Sequence, residues 1–269
     1  MRSIYLFGGR GGFYYASAGG RLVVWMTYKG AMRIALGLIA VTLTFMLLGH
    51  NMPSVHTWTY WSMPLSGKTV VIDAGHGGID GGAVSKSGAI EKDLNLAIAL
   101  YLRDYLQQSG ASVLMTREGD YDLAGQDTNV VRKRKTEDLL KRVSVIQNSG
   151  AKLAVSIHMN SIPSDKWSGA QTFYYPNGTD NGMLATFIQN EIRRNLENTS
   201  RVPAVKQDVY VLKAVKDIPT VLVEVGFLSN PGESQRLVDP AYQKQIAAAI
   251  YQGILRYASG EKINVSSSG

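Results

Sequence analysis

The sequence contains no cysteine, which excludes disulfide bonds, thiolate metal ligands and a cysteine nucleophile. Charged residues are also few, at 18% of the 269 residues, whereas hydrophobic residues make up 45%. This balance excludes a largely disordered chain and provides enough apolar side chains for one large folded domain with appendages.

Acidic residues are missing from the first 72 positions, and this absence explains most of the net charge of +7. Five basic residues lie within the first 33 positions, ahead of Asp73, the first acidic residue, so that residues 34–269 carry only +2. A nearly neutral body offers no surface that would track a phosphate backbone. We therefore predict no nucleic-acid partner. The five basic residues are Arg2, Arg10, Arg21, Lys29 and Arg33.

One long hydrophobic run follows these basic residues. Residues 34–48 read IALGLIAVTLTFMLL and carry no charge. The run is short of the roughly 20 residues that span a bilayer, so it also resembles the apolar region of a signal peptide. No small-x-small cleavage site follows the run. Aromatic residues typical of a membrane interface do follow it, which favours an anchor. These aromatic residues are Trp58, Tyr60 and Trp61.

We therefore predict a hydrophobic anchor or uncleaved signal at residues 34–49, which makes the membrane a partner of the chain. The basic extension, residues 1–33, is expected on the inner side and the remaining chain outside. A cleaved signal peptide and a buried core helix are the alternatives.

The composition changes again after a linker at residues 50–66, where short β-branched runs alternate with stretches of helical period. This alternation predicts an α/β domain at 67–258, with a single twisted, largely parallel sheet flanked by helices. A polar tail follows at 259–269. Predicted strands lie at 68–73, 111–116, 153–157, 170–175, 209–212 and 220–225. Predicted helices lie at 91–108, 136–148, 181–198 and 240–257.

Reactive side chains cluster at the ends of the predicted strands. His76 follows the first strand, His158 and Asn160 end the strand that begins at residue 153, and Glu224 lies near the end of the last strand. In α/β folds, functional residues gather on the loops that leave the carboxyl ends of strands. Both histidines of the domain lie at such ends, which is the main chemical signal in the sequence.

The loop VVIDAGHGGIDGG (70–82) first suggests a phosphate-binding loop, because glycines follow a buried strand. A dinucleotide fingerprint that starts at Gly75 would need a third glycine where Asp80 stands, and no Gly-Lys-Ser/Thr sequence follows, so the loop is not a P-loop either. The next predicted helix begins near Glu91, too late for its amino terminus to meet a phosphate. The phosphate interpretation is therefore disfavoured.

The same loop fits a metal site better. A catalytic zinc ion commonly takes two histidines and one carboxylate and keeps a fourth position open. His76 and His158 are the available imidazoles, and the spacing leaves the choice of carboxylate open. Glu224 stands in an apolar run, where a charge needs a partner, whereas Glu91 also fits the first turn of a helix. The candidate carboxylates are Asp73, Asp80, Glu91 and Glu224.

Four motifs together resemble the zinc-dependent N-acetylmuramoyl-L-alanine amidases of the Amidase_3 type. The resemblance covers residues 68–257, and the motifs occur in the expected order. Within it, SDKWSGAQTFYYPNG (164–178) and the short anchored architecture resemble the germination-specific, spore-cortex branch. The four motifs are IDAGHGGIDGGA (72–83), GAIEKDLNL (88–96), KRVSVIQNSGAKLAVSIHMNS (141–161) and IPTVLVEVGFLSNP (218–231).

The resemblance implies that residues 67–258 form a zinc amidase domain that hydrolyses the amide between N-acetylmuramic acid and L-alanine in peptidoglycan. It implies one Zn²⁺ ion held by His76, Glu91 and His158, with Glu224 as the catalytic carboxylate. Asn160 is a candidate for binding substrate or the oxyanion. The expected location is extracytoplasmic, anchored or secreted, with a role in the spore cortex or in germination.

Some alternatives stay open. The domain could be a zinc peptidase or an N-deacetylase that acts on another cell-wall bond, or a non-catalytic wall-binding module. Either Asp73 or Asp80 is expected to orient His76 from outside the ligand set. The basic cluster at 132–135 (RKRK) is interpreted as a solvated loop, with contact to the anionic wall as its alternative. The protein partner, if any, is left open.

Overall fold

The computed structural model describes residues 17–18, 21–22, 28–50, 63–128, 130–177 and 180–262. The chain divides into two units, Met1–Tyr60 and Trp61–Gly269. Most of the predicted basic extension, residues 51–62 of the predicted linker and residues 263–269 of the predicted tail lie outside the described residues.

The amino-terminal unit contains two short antiparallel strands, β1 (Ser17–Ala18) and β2 (Arg21–Leu22), and the helix α1 (Tyr28–His50). The stretch Tyr28–Met46 is long and apolar enough to cross a membrane, and none of it is buried. A signal sequence meets the same criteria. The 23 residues of α1 extend about 35 Å, which matches the roughly 30 Å of a hydrocarbon core.

The second unit is built on one six-stranded sheet with the strand order β4-β3-β5-β8-β6-β7. Neighbouring strands are parallel except for β6 and β8, which pair antiparallel. The predicted single, largely parallel α/β sheet is confirmed. The strands are β3 (Thr69–Ala74), β4 (Ser112–Met115), β5 (Leu153–Asn160), β6 (Gln171–Tyr174), β7 (Ala204–Val205) and β8 (Thr220–Phe227).

Helices cover both faces of this sheet, so the central strands are buried on both sides. The larger core lies on the face that carries α2, α4 and α7, and the smaller core lies on the face that carries α3 and α5. The helices are α2 (Glu91–Gln108), α3 (Val131–Gln147), α4 (Asn181–Leu196), α5 (Tyr210–Ala214), α6 (Pro231–Leu237) and α7 (Pro240–Ala258).

The strand predicted at 209–212 is wrong, because this segment forms the short helix α5. The amide of Lys213 donates to the carbonyl of Val209, at 3.1 Å, and Val211 and Leu212 are buried. The segment lies over the sheet rather than within it, so its backbone bonds are made locally. Packing here overrides the strand propensity of Tyr and Val. Two further elements of the second unit, β7 and α6, are missing from the prediction.

The basic cluster is largely exposed, as predicted, but the prediction that it forms a loop is wrong. Helix α3 begins at Val131, so residues 132–135 form its first turns rather than a loop before residue 136. Arg134 Nε donates to Asp122 Oδ2 at 2.8 Å, and Lys135 Nζ lies 2.7 Å from Asp80 Oδ1. Two of the four basic side chains are thus paired with carboxylates of the same unit.

Candidate active site

The predicted site residues meet at the carboxyl ends of β3, β5 and β8. The sheet register places His158 of β5 opposite Glu224 of β8 and Asp73 of β3 opposite Ser156 of β5. The glycine-rich loop after β3 then carries His76 to this edge. Because parallel strands end together, residues distant in sequence converge here.

Three side chains offer ligand atoms to one point. The Oε1 atom of Glu91 lies 3.2 Å from His76 Nε2 and 3.1 Å from His158 Nδ1. The three ligand atoms all lie within 4.8 Å of one another. Two imidazoles and one carboxylate are a donor set that suits a catalytic zinc ion with an open position. The residues present therefore fit the metal that the sequence resemblance implies.

Glu91 is fixed by its place at the first residue of α2, where the helix dipole favours an anion. Its Oε2 atom accepts from the amide of Ala83 at 2.8 Å, and its Oε1 atom accepts from the amide of Met159 at 3.0 Å. Burial alone would raise the pKa of Glu91, but hydrogen bonds from His158 and His76 hold it well below its usual range. Glu91 is therefore an anion in the buried site.

His76 is held in an unusual backbone conformation, with φ at +62°, in the left-handed region that few side chains adopt. Its Nδ1 atom lies 2.9 Å from Asp80 Oδ2, which leaves Nε2 to face Glu91. Burial alone would lower the pKa of His76, but hydrogen bonds to Asp80 and Glu91 raise it to about 9. Of the two residues predicted to orient His76, Asp80 makes the contact, whereas Asp73 has other partners.

Two glycines leave room for the ligands. A Cβ atom on Gly75 would lie 2.3 Å from the ring of His158. A Cβ atom on Gly82, whose φ is +69°, would lie 2.7 Å from His76 Cδ2 and 2.6 Å from Glu91 Oε2. The glycines of this loop therefore allow close packing around the ligand set rather than around a phosphate.

The buried Arg142 of α3 donates hydrogen bonds to the backbone of the loop that carries His76. Its Nη1 atom donates to Asp73 Oδ1 at 2.7 Å and to the carbonyl of Ala74 at 2.8 Å, and its Nη2 atom donates to the carbonyl of His76 at 2.5 Å. Its Nε atom donates to Asp138 Oδ2 at 2.7 Å. A single guanidinium thus joins two carboxylates to the loop of the first histidine.

A second buried arginine, Arg117, supports the same loop. Its Nε atom donates to the carbonyl of Ala74 at 2.9 Å, and its Nη2 atom donates to the carbonyl of Gly75 at 3.0 Å. Sequence reasoning missed both arginines. For Arg142 a signal exists, because it lies four residues after Asp138 and four before the buried Ile146, on one helix face.

Acid should weaken this network through Asp73, which is only 1% exposed. Burial alone would raise its pKa, but Arg142, with Ser156, His158 and Thr116, lowers it from 3.8 to about 2. The ionised carboxylate of Asp73 therefore contributes about 2 kcal/mol to the free energy of unfolding. This contribution is complete above pH 3.8 and is lost as the pH falls towards 2. Urea unfolding between pH 5 and 2 measures it. In Asp73→Asn this part of the pH dependence should vanish, and parallel curves for both proteins would contradict the assignment.

The two carboxylate oxygens of Glu224 lie in different surroundings. Glu224 is 8% exposed, and its Oε1 atom accepts from Lys206 Nζ at 3.3 Å. Its Oε2 atom is buried and lacks a hydrogen-bond partner among the described residues. A buried oxygen without a hydrogen bond costs free energy. This oxygen is therefore available to accept a hydrogen bond from a group that enters the site.

A cavity joins these residues. Its lining includes His76, Glu91, His158, Asn160 and Glu224. Asn160 ends β5, where its carbonyl accepts from the amide of Leu228 at 2.8 Å, so it lies within the strand. A metal-binding triad beside a buried carboxylate is an arrangement for metal-assisted hydrolysis.

Comparison with known proteins agrees with this chemistry. The family described as N-acetylmuramoyl-L-alanine amidase (Amidase_3) matches residues 70–256. The germination-specific N-acetylmuramoyl-L-alanine amidase of Bacillus subtilis (strain 168) is 49% identical over 220 residues, which cover 82% of this chain and 92% of that protein.

Solved structures share the fold. The CwlD amidase from Clostridioides difficile in complex with the GerS lipoprotein matches with a TM-score of 0.70 and 44% identity, over 72% of this chain and 100% of that chain. An N-acetylmuramoyl-L-alanine amidase from Clostridium difficile 630 matches with a TM-score of 0.63 and 33% identity, over 72% and 98% of the two chains. The chain therefore belongs to the Amidase_3 family of N-acetylmuramoyl-L-alanine amidases and is a hydrolytic enzyme.

Proposed function

We propose that the protein is a zinc-dependent amidase of peptidoglycan, in which His76, Glu91 and His158 hold the metal and Glu224 is the catalytic carboxylate. The observation that carries this proposal is the convergence of three potential ligand atoms within 4.8 Å, beside a buried oxygen of Glu224 that has no hydrogen-bond partner in the described part of the chain. The family supplies the bond, which joins N-acetylmuramic acid to L-alanine.

A role in the spore cortex or in germination is supported by the relative from Bacillus subtilis, which is named germination-specific. We place the enzyme outside the cytoplasm, where peptidoglycan lies, with α1 as its membrane anchor and a cleaved signal as the alternative. The length and apolar composition of Tyr28–Met46 support both forms of this proposal. The amidase from Clostridioides difficile was solved with a lipoprotein.

The chemistry divides between the metal and Glu224. A bound zinc ion supplies Lewis acidity, which favours deprotonation of water and polarises a carbonyl group. Glu224 takes the proton of the attacking water on Oε2 while Lys206 holds Oε1. As the water oxygen bonds to the carbonyl carbon and the C–N bond breaks, Glu224 returns this proton to the amine of L-alanine. Asn160, at the cavity wall, binds the substrate beside the carbonyl group.

Digestion of purified peptidoglycan tests this function. We expect peptides that begin with L-alanine and bare glycan strands, because only the lactyl amide is cut. EDTA should abolish the release and zinc should restore it, as measured by muropeptide mapping alongside zinc analysis. Acetate as the product would indicate an N-deacetylase, and free D-alanine a peptidase. Binding to the wall with no product at all would indicate a non-catalytic module.

A further inference from the structure

Cationic and aromatic side chains lie along the sheet beside Glu224, and of these the proposed mechanism uses only Lys206. The antiparallel register of β6 and β8 places Gln171 opposite Glu224 and Phe173 opposite Leu222. Side chains of directly opposed residues lie on the same face of a sheet, so Gln171 shares the face of Glu224. We call this group the cationic shelf, and its residues are Gln171, Phe173, Arg201 and Lys206.

Both cations of the cationic shelf are held in place by neighbouring rings. Lys206 Nζ lies 4.8 Å from the ring centroid of Phe173 and 3.3 Å from Glu224 Oε1. The guanidinium of Arg201 lies 5.6 Å from the ring of Trp167 and donates to Gln171 Oε1 at 3.4 Å. Such contacts partly dehydrate a cation and fix its position, which prepares it to receive an anion.

The charge of the cationic shelf is only partly neutralised. Lys206 is paired with Glu224, but within the described part of the chain no carboxylate lies within 4.0 Å of the Arg201 guanidinium. All four residues of the cationic shelf are partly exposed. A carboxylate that arrives beside the scissile bond would therefore meet an unpaired guanidinium on the same sheet face as Glu224.

We propose that the cationic shelf binds a free carboxylate of the stem peptide, on the leaving side of the amide. This inference rests on the proposed function. The sugar side of the substrate is neutral, because N-acetylated sugars carry no charge and the lactyl carboxyl group is consumed in the amide. The free carboxylates of the substrate belong to the peptide. Charge complementarity therefore assigns the peptide, rather than the glycan, to Arg201 and Lys206.

Arg201 is the sharper probe, because Lys206 also touches Glu224 and its loss would disturb turnover of every substrate. The test uses two soluble muramoyl peptides that differ only in one group, a free carboxylate or its carboxamide. We expect the wild type to prefer the carboxylate by about tenfold in kcat/KM, the size of one charged hydrogen bond. In Arg201→Gln this ratio should fall towards one, because the guanidinium that distinguishes the two substrates is removed.

Lys244→Met is the matched control, because Lys244 Nζ lies over a ring in the same way, 5.3 Å from Tyr101, on helices α7 and α2 of the opposite face. It should keep the wild-type ratio. A wild-type ratio near one, or an Arg201→Gln enzyme that keeps the preference, overturns the shelf proposal. Because the wild-type ratio alone can refute it, the test holds even if Arg201→Gln folds poorly. If the wild type cleaves neither compound, the proposed function itself fails.

If the cationic shelf instead binds the glycan, the activities of the variants should differ. Arg201→Gln would then lose activity on longer glycan chains, and the ratio between carboxylate and carboxamide substrates would stay at one. Added salt separates the two cases further, because it should weaken the carboxylate preference and leave contacts with neutral sugars unchanged. This pattern would overturn the assignment of the peptide.

Discussion

The substitution Glu224→Gln should lower kcat by about 10²–10⁴-fold, the usual contribution of a positioned general base and acid. The amide keeps the shape of the side chain but cannot take a proton from water or return it to the leaving amine. Zinc should stay bound at roughly one equivalent, because the proposed ligand atoms belong to His76, Glu91 and His158. Stopped assays with a muramoyl peptide, together with metal analysis of the purified protein, measure both quantities.

Two further variants distinguish loss of proton transfer from loss of the metal and from loss of stability. His158→Ala should lose the metal together with the activity, because it removes one of the three proposed ligands. Glu191→Gln changes another buried carboxylate, which is paired with Arg256 on the opposite face of the sheet, so it should lower stability but not kcat. A Glu224→Gln enzyme with full activity, or one that has lost its zinc, would show that the assigned role is wrong.

The substitution Arg142→Met should destabilise the fold by about 3–5 kcal/mol, the usual cost of removing one partner from a buried ion pair. The methionine fills much of the space but leaves Asp73 and Asp138 without their cation. It also frees the carbonyl of His76, which Arg142 holds in its left-handed conformation. We therefore expect weaker zinc binding as well, measured by competition with a chelator, alongside urea unfolding of the metal-free protein.

Zinc affinity distinguishes a role of Arg142 in positioning His76 from a simple loss of stability. Arg256→Met removes another arginine that joins two carboxylates, Glu191 and Glu261, far along the chain from the metal ligands. It should lower stability and leave zinc affinity unchanged. Arg142→Lys keeps the charge but lacks the planar fork, so it should recover part of the stability and little of the zinc affinity. Equal zinc affinity in Arg142→Met and wild type would contradict the positioning role.

Much of this fold could be predicted from the sequence, because its central elements carry strong local patterns. The helix at 91–108 has the predicted bounds, and the buried runs of β3, β5 and β8 lie where the β-branched residues indicated. The convergence of His76 and His158 followed from one topological rule, that parallel strands end at one edge. The choice of Glu91 over Glu224 as ligand came from the family resemblance, because spacing left it open.

Other features depend on contacts that no local pattern records. Helix α5 exists because its segment covers the sheet, and its composition alone favours a strand. Asp80 and Asp73 looked equivalent as partners of His76, and only the loop geometry separates them. The cationic shelf arises because β6 runs antiparallel to β8, which brings Gln171 opposite Glu224 across 53 residues of chain.

The packing of Gly75 against His158 has an evolutionary consequence. The ring of His158 fills the space that any side chain at position 75 would need. A lineage that exchanged this histidine for a smaller residue could then acquire a side chain at 75, and the way back would be blocked by that side chain. A descendant that had made both changes would need to restore glycine at position 75 before histidine could return at position 158. No single substitution would then restore the metal site.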